Sequence, residues 1–471
     1  MLFNSFVFIF LFLPVVLVLY YGLNRCKHHT LAKTTLVFAS LCFYAWFNLS
    51  YLPIILSSIA VNYIAGKMMM SGNGYLGRKV WLILAICFNI GLLGYFKYTD
   101  FFIENINALF GASFMLRHIL LPLGISFFTF QQLAFVIDCY KGKDCIPKFI
   151  DYCNFVTFFP QLIAGPIVLS GEMLPQFESE RNKRLNYENL FNGLFLFSLG
   201  LAKKVLIADS IAVFANAGFS FAEKGLTMGE AWLTSLSYTF QLYFDFSGYC
   251  DMAVGIGLMF NILLPKNFDA PYRAVSFKDF WHRWHITLNR FLTQYLYIPL
   301  GGSRKSERRA CLNILTVFAV SGFWHGAGWT FIVWGILHGL CMVVHRIWSH
   351  RGYELPNWVA TCVTFFFVNI FWVIFRADSL SQAGCVIRAM FDNTQLALTE
   401  TVTSHLPSIL PNSVNMIILF TAIFIGVVGP TAYKLTFENK SYRFKQVIAV
   451  ACFVTGVLFV SRVVTFLYFN F

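Results

Sequence analysis

Charge is scarce in this chain. Only 12% of its 471 residues are Asp, Glu, Lys or Arg, against roughly 25% in soluble domains. That excludes a disordered protein, a coiled coil and an ordinary cytosolic enzyme. Nucleotide motifs are missing as well. There is no Walker A loop, no G-x-S-x-G elbow and no G-x-G-x-x-G fingerprint, which argues against an ATP-driven pump and a Rossmann oxidoreductase. None of the twelve cysteines forms a C-x-x-C pair, so neither a zinc knuckle nor a redox motif is indicated. They lie mostly in apolar stretches and read as buried free thiols. Cys139 and Cys145 lie close together near a membrane boundary.

What is abundant is apolar. Hydrophobic residues make up 58% of the chain, 55 of them Phe, and the mean hydropathy is +0.65. A spanning helix needs about 20 apolar residues, and stretches of that length recur. An outer-membrane barrel would show shorter segments of alternating polarity instead. The expectation is an all-α, polytopic membrane protein with about 11 to 13 membrane segments. It has no separate soluble domain, so residues 1–471 read as one transmembrane domain. The net charge of +13 does not point to nucleic acid. The Lys and Arg residues sit between apolar runs, as the positive-inside rule places them in cytoplasmic loops.

Residues 1–24 carry no charge, and Arg25 and Lys27 follow the apolar run rather than precede it. This order predicts an uncleaved first helix with its N-terminus outside the cytoplasm, and a periplasmic C-terminus. Further spans are expected at about 33–50, 51–70, 80–97, 119–140, 189–218, 230–263, 310–324, 327–345, 357–375, 413–431 and 446–469. The segment 98–117 reads as an external loop with a short helix. Residues 153–170 are apolar but interrupted by Pro160, Gly165 and Pro166, which predicts a broken or re-entrant segment surrounded by protein. Residues 265–285 are too polar for lipid and too aromatic for a solvated loop. They predict a segment in a polar cavity or along the inner interface. Residues 378–392 resemble an amphipathic interfacial helix.

Ionisable groups inside membrane segments are costly and call for a function. His325 stands between two apolar helices in Ser-Gly-Phe-Trp-His-Gly-Ala-Gly-Trp, residues 321–329. Trp324 and Trp329 are candidates for an apolar wall beside it. A buried imidazole can act as general base on a hydroxyl; the structural alternative is a histidine bonded between helices. His282 and His285 lie in Phe-Trp-His-Arg-Trp-His, residues 280–285. The i, i+3 spacing predicts both on one helical face, flanked by Trp281 and Trp284. A metal would need a third ligand, and no H-E-x-x-H pattern occurs, so a polar active-site face is the stronger reading. Asp245 and Asp251 bracket Phe-Ser-Gly-Tyr-Cys, with Ser247 between them. They suit a proton relay or, more simply, a tether for a cation. Lys203 and Lys204 suit lipid headgroups or an anionic donor, or snorkelling at the interface.

Several of these motifs, in this order, resemble the membrane-bound O-acyltransferase family. They are Pro122–Gln131 (PLGISFFTFQ), Phe159–Pro166 (FPQLIAGP), the Asp245–Asp251 and Trp281–His285 segments, Trp324-His325-Gly326, and Phe375-Arg376-Ala377. The match runs from about residue 1 to 380, with its motif-bearing core at about 120–380, and is nearest to the bacterial alginate and peptidoglycan O-acetyltransferase branch. The resemblance implies a ring of helices around a central funnel or tunnel. It implies that His325 and His285 are catalytic. His282, Trp281, Trp284, Trp324, Asp245, Asp251, Ser247 and Gln131 would bind substrate or support them. It implies acetyl-CoA as acyl donor with no covalently bound cofactor, and a periplasmic esterase-like partner. An envelope polysaccharide would be the final acceptor, and the site a bacterial inner membrane. A transporter or channel for a small solute is the alternative, for which the intramembrane aspartates and the broken segment would serve. A scaffold that merely holds a periplasmic enzyme is a third.

Overall fold

The computed structural model describes the chain apart from residues 72–76, 144–145, 393–411, 440, 461–465 and 468–471. Cys145 and parts of the expected last span lie outside the described residues. Among those residues all regular structure is helical. The chain divides into two compact units. One comprises Met1–Ser198 with Cys250–Pro265, the other Leu199–Tyr249 with Lys266–Phe471.

The first unit opens with α1 (Leu13–Arg25), α2 (His29–Ala45), α3 (Leu52–Ser71), α4 (Arg78–Leu93) and α5 (Thr99–Phe110). It continues with α6 (Ile125–Tyr140), α7 (Phe149–Thr157), α8 (Phe159–Leu162) and α9 (Ser170–Glu178), and α10 (Tyr187–Ala202) begins in it. Here α1 packs on α2, α2 on α7, and α3 on both α4 and α6. Amide pairs stitch the apolar faces: Asn89 Nδ2 donates to Asn62 Oδ1 at 2.6 Å, and Gln132 Nε2 to Ser58 Oγ at 2.8 Å. Such bonds hold helices together where lipid competes for apolar surface. The expected break appears: α7 stops at Thr157, and α8 is a single turn carrying Pro160. The helix expected from about residue 119 starts only at Ile125, after Pro122 and a left-handed Gly124 (φ +72°). A Cβ at Gly124 would lie 2.8 Å from the Leu162 carbonyl oxygen, so both conformation and space demand glycine there.

In the second unit a π-helical turn, Lys203–Ala208, leads into α11 (Asp209–Phe221), and α12 (Met228–Met259) begins there, its residues from Cys250 onward belonging to the first unit. Next come α13 (Phe277–Arg283), α14 (Ile286–Leu292), α15 (Glu307–His325) and α16 (Trp329–His350). The unit ends with α17 (Asn357–Arg376), α18 (Leu380–Phe391), α19 (Asn412–Val427), α20 (Ala432–Phe437) and α21 (Tyr442–Phe459). The expected helix at 378–392 is α18. Its Ala383, Val386 and Met390 are buried while Ser381 and Arg388 are exposed, as an amphipathic helix requires.

Among the described residues seven helices are long and apolar enough to cross a membrane. That is fewer than the 11 to 13 apolar stretches. Several of those form helices too short for the full thickness, such as Ile125–Tyr140 and Ser413–Val427. The segment at 265–285, not expected to span, ends in the short helix α13, with α14 following after a bend.

The antiparallel pair α15 and α16 is the most closely packed in the second unit, and glycine makes it so. A Cβ on Gly335 would sit 2.4 Å from the Phe318 carbonyl oxygen, and one on Gly322 2.3 Å from that of Phe331. Backbones that close leave no room for any side chain. Gly335→Leu therefore drives the helices apart. The expected cost is at least the ~1–3 kcal/mol of an overpacked core, read as a lower unfolding temperature of the purified chain in detergent.

Candidate active site

His285 sits at a bend, not on a helix face shared with His282. Helix α13 ends at Arg283, Trp284 is extended, and His285 takes a left-handed conformation (φ +46°) before α14 starts. His282 is consequently exposed, and His285 is fully buried. The i, i+3 expectation fails because Asn267, far upstream, captures the bend. Its Oδ1 accepts from the Thr287 backbone N–H (3.1 Å) and the Thr287 hydroxyl (2.9 Å), and its carbonyl accepts from the Ile286 N–H (3.0 Å). His285 Nδ1 lies 3.3 Å from the same Oδ1. An atom that accepts from a backbone N–H is an oxygen, so Nδ1 carries the hydrogen and donates. In the neutral ring the lone pair is then on Nε2, as a general base requires.

His325 closes α15 and is 2% exposed. The glycine-backed approach of α15 and α16 puts its ring 5.1 Å from that of Trp334, 5.0 Å from Trp324 and 5.5 Å from Phe375. The two imidazoles face one another at 6.4 Å between ring centres. Trp324 also approaches His285, at 6.2 Å, and the Phe246 ring lies 4.9 Å from that of His285. Trp324 thus forms part of the apolar wall as expected. Trp329 does not; it is 56% exposed at the start of α16. Trp334 takes its place. Its position one turn before His338 on an apolar helix looks in the sequence like ordinary core.

The remaining predicted residues fall into three settings. Trp284 is buried in an aromatic stack, 4.9 Å from Trp372 and 5.0 Å from Phe268, away from solvent. Asp245 belongs to a buried charge centre. Lys204 Nζ lies 2.6 Å from Asp245 and 2.6 Å from Asp209, and Asp245 also accepts from the Leu467 N–H at 2.9 Å. The lysine is 1% exposed. It neither snorkels nor meets headgroups, because the π turn swings it inward onto the two carboxylates. Ser247 is buried on α12 in this same unit. Gln131 and Asp251 belong to the other unit, where Gln131 Nε2 donates to the Phe155 carbonyl at 2.5 Å.

A cavity of about 410 Å3 opens beside the pair's neighbours. Lys278, His282, Tyr297, His345, Arg346 and His350 supply its polar wall, and Trp281 with Phe318 its inner end. Arg346 grips Glu307 with two bonds of 2.6 and 2.9 Å. The hydrogen bond from Arg346 holds the Glu307 carboxyl below its ordinary range. Arg346 is thereby paired with an anion, and Lys278 is the other side chain of fixed positive charge in the lining.

Buried facing histidines, an aromatic wall and a basic cavity suit transfer of a group from an anionic donor. The model of the membrane-bound O-acyltransferase family matches residues 113–377. The chain belongs to that family. It is a multi-pass membrane acyltransferase. It is 44% identical to a peptidoglycan O-acetyltransferase of Helicobacter pylori, over 100% of this chain and 98% of that protein. It is 39% identical to a probable alginate O-acetylase, AlgI, of Pseudomonas aeruginosa, over 90% of this chain and 81% of that one. A teichoic acid D-alanyltransferase of Bacillus subtilis is more distant, at 27% over 54% of this chain and 68% of its own length.

Two outcomes test the geometry of this acyltransferase. Asn267→Ala frees the His285 bend, and displacement of a reacting group by about 1 Å costs roughly 10²-fold in rate. Turnover should fall by that order while the melting temperature stays within a few degrees. Lys204→Met strands two buried carboxylates and should cost about 3–5 kcal/mol, measured by thermal unfolding. Adding Asp209→Asn and Asp245→Asn should restore most of that loss.

Proposed function

We propose that this chain is the membrane subunit of an envelope O-acetylation system. It takes an acetyl group from acetyl-CoA on the cytoplasmic side of the bacterial inner membrane. It passes the group outward, through a periplasmic esterase-like partner, to a polysaccharide, peptidoglycan being the best supported. The observation that carries this reading is the pair of buried imidazoles, 6.4 Å apart between ring centres. The peptidoglycan assignment draws on the 44% identity over both full lengths to the Helicobacter pylori acetyltransferase.

The chemistry follows from the residues. CoA carries phosphates, and Lys278 and Arg346 in the cavity wall offer charge-assisted donors for them. Its thioester arm extends past Trp281 toward the histidines. The acceptor hydroxyl loses its proton to an imidazole nitrogen as its oxygen attacks the thioester carbonyl carbon. The tetrahedral oxyanion collapses, the carbon–sulfur bond breaks, and the thiolate takes up the proton that the imidazole holds. Burial in aromatic surroundings keeps water from competing for the acyl group. The first unit and the second are both required on this reading, with residues 1–471 acting as one transmembrane domain.

The test is release of CoA and transfer of label from radiolabelled acetyl-CoA by the full chain in nanodiscs, with and without a candidate periplasmic partner. His325→Ala should lower both by about 10²–10⁴-fold, the usual worth of general acid–base catalysis. Full transfer by a well-folded His325→Ala protein overturns the assignment. Solute flux into proteoliposomes without acyl turnover would favour a transporter.

A further inference from the structure

A general base holds a proton for part of the reaction, and at His325 that means a positive charge shielded from solvent. On the reading above, the acceptor hydroxyl gives up its proton as its oxygen bonds to the thioester carbon. The imidazolium then returns that proton to the departing thiolate. Between those two moments the charge sits on a side chain that is 2% exposed. Burying a charge without compensation is costly, and the groups nearest to His325 are rings.

Three aromatic rings stand steeply to the imidazole: Trp334 at 5.1 Å and 87°, Trp324 at 5.0 Å and 75°, and Phe375 at 5.5 Å and 77°. In a perpendicular pair at such a distance the edge of one ring meets the face of the other. An imidazole has only two faces, so at least one of the three rings meets its edge instead. That edge carries the N–H groups. The ring that it meets turns an electron-rich face to them, and such a face attracts a cation within about 6 Å of its centre.

Trp334 fits this part best. It is fully buried, yet its Nε1–H has no hydrogen-bond partner among the described residues. A buried indole donor left unpaired costs stability that a phenyl ring in its place would not. What the indole adds over a phenyl ring is the strongest cation–π surface of any side chain. Its position is fixed, since it stacks on Trp372 at 5.6 Å and 22° and meets Phe375 at 5.0 Å. A second imidazole, that of His338, lies 4.9 Å away. Nδ1 of His338 accepts the Trp281 Nε1–H at 3.3 Å and so carries no hydrogen. His338 stays neutral, and the charge that Trp334 can meet is the one on His325. We propose that the face of Trp334 stabilises the imidazolium of His325, which makes Trp334 a positioning residue acting through that histidine. This inference rests on the acetyl-transfer reading, with His325 as the base.

The experiment is single-turnover CoA release from acetyl-CoA by the full chain in nanodiscs, with the candidate periplasmic partner present. Trp334 is replaced by tryptophan analogues that carry one, two and three ring fluorines. Fluorine draws electron density from the face and leaves the shape nearly unchanged. The rate should fall by a similar factor with each fluorine, to about tenfold or more at three, within the roughly 30-fold that a desolvated cation–π contact is worth. The acetyl-CoA concentration for half-maximal rate and the melting temperature should stay where they are. A role in packing alone would leave the rate unchanged along this series. The sulfur analogue of tryptophan, which keeps the ring face and lacks the N–H, should keep the wild-type rate. A flat fluorine series in an active, folded protein overturns the proposal, and so does a steep series at Trp324 beside a flat one at Trp334. A slow sulfur analogue also overturns it and assigns the effect to the N–H. A wild-type chain that releases no CoA overturns the donor assignment and this inference with it, whereas a flat series leaves that assignment standing.

Discussion

Two helices that touch backbone to backbone set the position of everything else in the second unit. Gly322 and Gly335 remove the side chains that would hold α15 and α16 apart. With the helices so close, the end of α15 delivers His325 against Trp334 of its neighbour, while α16 carries His338 to Trp281. In lipid no hydrophobic force draws helices together, so close van der Waals contact and buried hydrogen bonds must do it. The same contact that stabilises the hairpin therefore fixes where His325 stands, and under the proposed function stability and reactivity are not separable.

The second organising element is the bend at His285. Backbone that leaves a helix at membrane depth needs replacement partners for its polar groups. Asn267 supplies them through one side-chain oxygen and one carbonyl. A bend satisfied in this way can be buried, and a buried bend can present an imidazole inward from a place where a continuous helix would have pointed it elsewhere. The left-handed conformation is unusual for a residue with a side chain, and it is found at the residue that faces His325.

How far the sequence discloses this depends on how local the cause is. The helical membrane class, the broken stretch around Pro160, the helix at 380–391 and the prominence of His325 are written in composition and short motifs. The separation of His282 from His285 is not, because it is decided by Asn267, which lies 18 residues from His285. Lys204 looks like an interfacial lysine since one of its two carboxylates, Asp245, comes from α12, and only the fold brings it there. His338 and Trp334 are hidden for another reason. On a uniformly apolar helix, a lone histidine and a tryptophan look like core residues until a partner such as Trp281 is seen.

The charge centre also has an order in time. Asp245 takes its last hydrogen bond from the N–H of Leu467, 222 residues further along, and the Phe466 ring lies 4.8 Å from the Lys204 ammonium. Lys204, Asp209 and Asp245 are all made long before these two residues leave the ribosome. Until then the centre lacks that bond and that ring. Insertion of this half of the molecule therefore cannot finish as the helices emerge one by one. Its polar core is sealed by chain synthesised more than two hundred residues later, which makes completion of the fold a late event in biosynthesis.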